Sequence, residues 1–244
     1  MKVLLLAAAR HDSIGGPDDY PVFLAEIDGK LVIEWIAEGL EQLDSSSVIF
    51  MFRRDDVRRL HMDSIAHQIA RNAEVVAVGR NTAGAPCTAL LAIDLLDRDE
   101  ELLVANVSDF VDTDLRTVVD DFRSRGADAG TVVFESLHPR YSYMRLDDEG
   151  RVTEAAEKNP ISRHASAGVY WFRRAGDFID AAQSMIEKDA AVHGVFYMSL
   201  TFNELVLRGL DIRVHHISAE AYHPFKTTHQ AQSYDEPAAL GGTA

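Results

Sequence analysis

Leu102-Leu103-Val104-Ala105-Asn106-Val107-Ser108-Asp109-Phe110-Val111-Asp112 is the stretch that decides the fold. Its first half is a short apolar run, the pattern of a strand buried on both faces. Its second half turns polar and offers two carboxylates, Asp109 and Asp112. A helical pattern follows from Asp114 and Leu115 to Arg125. A strand that ends in acids before a helix places those acids at the carboxyl edge of a sheet. Open α/β sheets bind ligands at that edge, and clustered hard oxygens there suit Mg²⁺ on a nucleotide phosphate. Asp112 and Asp114 have an ordinary alternative use as caps of the following helix. Asp109 is the stronger metal candidate.

Upstream of this stretch, strands and helices alternate. Lys2–Ala8 reads as a first buried strand, and Ala9–Pro21 as a polar loop rich in Gly and Pro. Asp28-Gly29 marks a turn, and Leu31–Leu43 carries apolar residues at helical spacing. Val48–Phe52 and Glu74–Val78 are the second and third strands, separated by a charged, partly helical Arg53–Ala70. Asn81–Pro86 is a loop, and Cys87–Leu96 a helix of small residues beginning near Thr88. This order implies parallel pairing and right-handed crossovers.

The second half reads differently. Gly130–Glu135 is β-like, and Tyr141–Leu146 and Val152–Ala156 flank the hairpin signal Asp147–Gly150. Ser166–Phe172 and Asp211–Ile217 are strands, and Asp177–Lys188 is an amphipathic helix. Val192–Leu207 reads as one helix bearing Phe196, Tyr197 and Phe202, which suit a core or a homodimer contact. The expected fold is a three-layer α/β/α, Rossmann-like domain with a mostly parallel central sheet and an antiparallel extension. That domain should span residues 1–236, with a small, mobile tail at 237–244.

The chain has 244 residues, 47% hydrophobic content and a formal charge of −15. Such an acidic surface repels nucleic acid and anionic lipid, but a few local cations in a cleft can still bind a small anion. One cysteine, Cys87, excludes an intramolecular disulfide and points to the cytoplasm. The start, Met1–Ala9, has a passing likeness to a signal peptide with an A-x-A site. Its apolar run is short and no longer basic region precedes it, so a buried strand is expected. No run is long enough to cross a bilayer. Among the ten histidines, His215 and His216 alternate faces on a strand, and His61 and His67 are not at i, i+4 spacing. A structural zinc site is not expected without paired thiolates.

Several blocks, in this order, resemble a known family. They are Leu4–Ala9; Tyr20-Pro21 with Leu24–Lys30 and Ile33–Trp35; Gly84–Ala92; Glu157-Lys158; and Ala167–Tyr170. Together they resemble the sugar-phosphate nucleotidylyltransferases, especially the short type of capsule and surface-sugar pathways. The resemblance implies transfer of a nucleotidyl group from an NTP to a phosphorylated small-molecule acceptor, with release of pyrophosphate and with Mg²⁺ as cofactor. It implies nucleotide contacts at Ala7, Ala8, Ala9, Arg10, Gly84, Thr88 and Ser108, and acceptor contacts at Glu157, Lys158 and Gly168. It implies a metal carboxylate at Asp109, with Arg10, Asp109 and Lys158 as the catalytic set. For Glu157-Lys158 the ordinary alternative is an exposed charge pair after a strand.

The chain departs from the family pattern at four places. The first loop runs Ala9-Arg10-His11-Asp12-Ser13 in place of G-x-G-x-R, with Gly15 and Gly16 later. Val22 follows Pro21 where the family carries a phosphate-binding lysine. An alignment without gaps puts the metal aspartate at Ser108, and a shift of one residue restores Asp109. Near Pro224–Thr228 the Gly-Thr-Pro-like turn is absent. Arg10, His11, Lys158 and Lys226 are the cations that could replace the lysine. Two other functions stay open: a non-catalytic nucleotide- or sugar-phosphate-binding protein on the same fold, and a glycosyltransferase using Asp112-Thr113-Asp114 as a D-x-D metal motif.

Overall fold

A computed structural model describes residues 1–9, 20–27, 29–45 and 47–225. Arg10, His11, the rest of the first loop to Asp19, Asp28, Lys226 and the expected tail lie outside the described residues. The first half runs β1 (Lys2–Ala7), β2 (Glu26–Ile27), β3 (Lys30–Leu31), α1 (Val32–Glu41), β4 (Ser47–Arg53), α2 (Arg54–Leu60), α3 (Met62–Ile69) and β5 (Ala73–Val78). It continues through α4 (Ala85–Ala89), β6 (Leu102–Asn106), β7 (Asp109–Val111) and α5 (Leu115–Ser124). The second half adds β8 (Ala129–Glu135), β9 (Ser142–Leu146), β10 (Val152–Glu157), β11 (His164–Phe172), α6 (Ala175–Glu187), α7 (Thr201–Leu207), β12 (Ile212–His216) and β13 (Tyr222–Pro224).

The main sheet runs β10-β9-β11-β6-β1-β4-β5, with β8 pairing both β11 and β12. β6 sits inside it. One neighbour, β1, is parallel, with Leu5 opposite Ala105. The other, β11, is antiparallel, with Val169 opposite Ala105. This is the mixed, mostly parallel sheet flanked by helices that strand–helix alternation predicts.

The pleat of β6 divides the core. Leu103 and Ala105 join the helices α1, α3 and α5 on one face, with Val3, Leu5 and Trp171. Leu102 and Val104 join α6 and α7 on the other, with Leu4, Leu6 and Phe172. Both faces of β6 are dry, which explains its unbroken apolar sequence. Each fully buried aliphatic side chain there contributes about 1.5–3 kcal/mol. α1 starts where the Glu34 carboxylate accepts the Leu31 N–H at 2.7 Å, half of a capping box. Among the described residues no helix is long and apolar enough to cross a membrane.

Three elements differ from the sequence expectation. Arg53–Ala70 is two helices because His61 adopts a left-handed conformation between them (φ 52°). The small-residue helix begins at Ala85, behind Gly84 and with Pro86 in its first turn. It tightens to a 3₁₀ helix at Leu90–Leu95. Val192–Leu207 is not one helix. His193 (φ 52°) and Gly194 (φ 76°) close a turn, Phe196 and Tyr197 extend, and α-helix starts only at Thr201. Phe196 and Leu200 there are buried without one continuous helix, and they pack with Met185 in a small core cluster.

The amino edge of the sheet is tied by Glu74. Its carboxylate accepts the Ser47 hydroxyl at 2.5 Å and the Lys2 ammonium at 3.0 Å, so one side chain of β5 joins β4 and β1. The Ser47 and Lys2 bonds hold its carboxyl below the ordinary value of 4.5. A depressed carboxyl contributes stability that is present above pH 4.5 and lost as pH falls through the lowered value. Glu74→Gln is therefore expected to destabilise the protein at neutral pH, by a margin that shrinks below about pH 4.5. Urea titrations of both proteins from pH 3 to 7 check this.

Candidate active site

A cleft of about 530 Å³ opens at the carboxyl ends of β1 and β6. That volume suits a small-molecule ligand. It is lined by Leu6, Ala7, Ala8 and Ala9 after β1; by Val22 and Phe23; by Asn81, Thr82, Gly84, Ala85 and Thr88; by Asn106, Val107 and Ser108 after β6; and by Phe225. Ala7, Ala8, Ala9, Gly84, Thr88 and Ser108, the described residues expected at a nucleotide, are thus gathered around one space. No charged side chain appears among these lining residues.

Local geometry explains the far wall. Gly84 (φ 140°) forms a parallel bridge with Phe196, and a Cβ on Gly84 would lie 1.9 Å from the Phe196 carbonyl oxygen. Thr88 and Thr82 share a hydroxyl hydrogen bond of 2.6 Å, and both hydroxyls reach the Gly84 carbonyl. The Gly84 segment is therefore fixed from both sides before any ligand enters.

Asp109 follows Ser108 directly and opens β7. Its carboxylate is held on both oxygens. The Tyr222 hydroxyl donates to Oδ1 at 2.6 Å, and the Asn106 amide donates to Oδ2 at 3.2 Å. The Ser108 hydroxyl lies 3.4 Å from Oδ2. β13 brings Tyr222 there by pairing antiparallel with β7, Pro224 opposite Asp109. Burial, then the Asp109 charge, push the Tyr222 phenol far up, so it stays a donor.

Beneath Asp109 lies Gly168. The ladder between β11 and β8 shifts register between Ser166 and Tyr170, and Gly168 takes φ 80° inside that irregularity. A Cβ on Gly168 would stand 2.9 Å from Asp109 Oδ2. The Val169 carbonyl accepts the Thr131 hydroxyl at 2.7 Å, and Ser166 donates to the buried Tyr170 hydroxyl at 2.9 Å. Burial, and then the Glu157 and Asp109 charges, raise the Tyr170 phenol. Gly168 is thus brought to Asp109, though neither lines the cleft.

Glu157 and Lys158 diverge at the end of β10. Glu157 is buried and accepts the Ser142 hydroxyl across the β9–β10 ladder. Lys158 is exposed, with φ 54°; its ammonium donates to the Tyr197 hydroxyl at 3.0 Å and lies 5.3 Å from that ring's centroid. The Tyr197 bond raises the Lys158 pKa. An exposed Glu–Lys charge pair is not what forms here. Asp114 caps α5 by accepting the Arg116 N–H at 2.9 Å and the Thr117 hydroxyl at 2.9 Å, and these bonds lower its pKa. That use fits capping rather than a D-x-D metal motif. The Cys87 thiol, pushed up by burial, packs beside Met185, Phe196 and Leu200.

Sequence reasoning did not single out Asn106, Tyr222 or Phe225. Asn106 was legible as the first polar residue of the deciding strand. Tyr222 and Phe225 carried no local signal, because they meet Asp109 and Ser108 from the far end of the chain. For a metal, the donors are one carboxylate with an amide and a hydroxyl beside it. Mg²⁺ binds through one or two carboxylates plus substrate phosphates and water, so Asp109 with Asn106 and Ser108 fits Mg²⁺ brought by a nucleotide. Among the described residues no group of three or more His, Cys, Asp or Glu side chains could cage a metal alone.

A cleft at the carboxyl edge of a mostly parallel α/β sheet, with an oriented acid beside it, lies where open α/β sheets bind ligands. The chain belongs to the nucleotidyl transferase family, whose sequence model matches residues 32–195. No curated protein matches by sequence. Among solved structures, a nucleoside-diphosphate-sugar pyrophosphorylase from Vibrio cholerae is 21% identical with a TM-score of 0.79, covering 96% of this chain and 99% of that one. A provisionally assigned glucose-1-phosphate thymidylyltransferase from Bacillus anthracis, in complex with a sucrose, is 18% identical with a TM-score of 0.73, covering 96% and 93%. HddC from Yersinia pseudotuberculosis, complexed with GMP-PN, is 16% identical with a TM-score of 0.65, covering 96% and 97%. At these identities the likeness is one of fold.

Gly168 gives a direct test of the crowding under Asp109. Gly126 also has positive φ (68°), but a Cβ there meets nothing within 4 Å. Gly126→Ala should cost about 1–2 kcal/mol, the left-handed backbone term alone. Gly168→Ala should cost more, because it also displaces the carboxylate. Chemical denaturation of both variants checks the difference.

Proposed function

We propose that this protein joins the nucleotidyl group of an NTP to a phosphorylated acceptor such as a sugar phosphate, releasing pyrophosphate. One observation carries this: a carboxylate just past the central strand, held on both oxygens, adjoins a cleft of small-molecule size. An acceptor phosphate oxygen attacks the α-phosphorus, the new P–O bond forms, and the bond to the β-phosphate breaks with its electron pair leaving on pyrophosphate. The protein's share is alignment and charge compensation.

In this reading the backbone of Ala7–Ala9 and the Gly84–Thr88 and Ser108 segments hold the nucleotide. Asp109 holds Mg²⁺, which when bound neutralises charge on the phosphates. Lys158 meets the acceptor phosphate, Glu157 the acceptor hydroxyls, and Gly168 leaves room beside them. Arg10 supplies the cation that Val22 does not. The family resemblance fits a cytoplasmic role in supplying activated sugars for surface polysaccharide.

One observation favours a second reading. Val22 lines the cleft where the resemblance implies a phosphate-binding lysine, as a protein that binds a nucleotide without turning it over would tolerate. Four NTPs with Mg²⁺ and a panel of sugar phosphates, assayed for pyrophosphate release and by thermal shift, separate the two. A working transferase releases pyrophosphate, and Asp109→Asn lowers turnover by about 10²-fold or more with the fold intact. A rise in melting temperature with an NTP, without pyrophosphate release across the panel, replaces catalysis with binding.

A further inference from the structure

Tyr222 lies beyond the residues that match the family model, 32–195, yet its hydroxyl donates to Asp109 Oδ1 at 2.6 Å, a shorter bond than the Asn106 and Ser108 contacts to Oδ2. Four further contacts fix its place. Its ring stacks on Phe134 with centroids 4.4 Å apart and meets Tyr141 edge-on at 5.8 Å. The Asp112 N–H donates to the Ala221 carbonyl at 2.8 Å just before it, and the Phe225 N–H donates to the Ser108 carbonyl at 2.8 Å just after it. The residue is 7% exposed. A phenol so confined has one partner direction, toward Asp109.

The opposite side of the carboxylate has no freedom either. Asn106 donates to Oδ2 at 3.2 Å, and a Cβ on Gly168 would stand 2.9 Å from it. Without the Tyr222 hydroxyl, Oδ1 would lose a 2.6 Å donor and the carboxylate a hydrogen bond that sets its orientation. A metal-binding carboxylate is commonly oriented by such an outer partner, and losing that partner costs about 10–100-fold in metal affinity.

We propose that Tyr222 is the positioning residue of this site: its phenol fixes the Asp109 carboxylate and thereby sets the affinity for a divalent cation carried by the nucleotide. This rests on the reading of Asp109 as the metal carboxylate. Tyr222 touches no reacting atom in this account; it acts through Asp109.

The test uses the full chain, Mn²⁺ as the probe, and whichever of the four NTPs most raises the melting temperature. Free Mn²⁺ is read by electron paramagnetic resonance, and NTP binding in EDTA by calorimetry. Tyr222→Phe keeps the ring on Phe134 and removes the donor. Tyr141→Phe removes a neighbouring phenol whose oxygen meets Arg140 at 2.6 Å instead, and serves as the control. Tyr222→4-aminophenylalanine keeps the ring with a weaker donor, so a folded variant is in hand if the phenylalanine proves unstable. Expected are a loss of Mn²⁺ affinity in the NTP complex of about tenfold for Tyr222→Phe, an intermediate loss for the amino variant, and none for Tyr141→Phe. NTP affinity in EDTA should stay at the wild-type value in all three. Wild-type Mn²⁺ affinity in Tyr222→Phe overturns the proposal, as does an equal loss of metal-free NTP binding, which marks a merely structural role. If wild type itself holds Mn²⁺–NTP no better than Asp109→Asn does, the metal reading of Asp109 fails and the proposal falls with it.

Discussion

Parallel pairing of β1 with β6 is the constraint on which the rest depends. The ladder runs from Lys2 opposite Leu102 to Leu6 opposite Asn106, and the Val107 N–H extends it by donating to the Leu6 carbonyl at 3.1 Å. Two parallel strands end together at one edge, so the turns after Ala7 and Asn106 have to emerge side by side. The cleft exists because of that coincidence. On its other side β6 meets β11 antiparallel, which delivers the Ser166–Tyr170 irregularity, and with it Gly168, to the underside of Asp109.

Charge shapes what this arrangement can bind. The chain is formally −15, and the described lining of the cleft carries no charged side chain. A triphosphate brought into such a space needs countercharge, and Asp109 alone adds to the deficit. A carboxylate beside such a cleft could hold a divalent cation, which would offset the charge of the phosphates.

Much of the fold was legible because periodicity reports burial. Leu102–Ala105 is apolar on both faces and proved interior; Leu115–Ser124 shows one apolar face and proved a surface helix. The gathering of Ala7–Ala9, Gly84, Thr88 and Ser108 around one cleft also followed from local order, since Ala7–Ala9 and Ser108 follow buried strands directly and Gly84 and Thr88 belong to the loop and helix that come after β5. Legibility ended where contacts are not local. His61 and His193 break helices through left-handed backbones that no composition rule flags. Tyr222 reads as one aromatic among seven tyrosines until β13 is laid against β7. Glu157, judged by its neighbour Lys158 alone, resembles a solvated charge pair; its burial depends on the β9–β10 ladder, not on the dipeptide.

The bridge from Gly84 to Phe196 and the bond from Tyr222 to Asp109, partners 113 residues apart, have a kinetic meaning. Contacts of such sequence separation close late in folding, after local helices and hairpins have formed, because loop-closure entropy opposes them. During synthesis the parallel half leaves the ribosome first, with β6 still missing its antiparallel neighbour and the Gly84 turn still unclamped. Until those contacts form, β6 has no antiparallel neighbour and the Gly84 turn has no clamp. The hydrogen bond between Tyr222 and Asp109 therefore ties the last described strand to the first half of the chain.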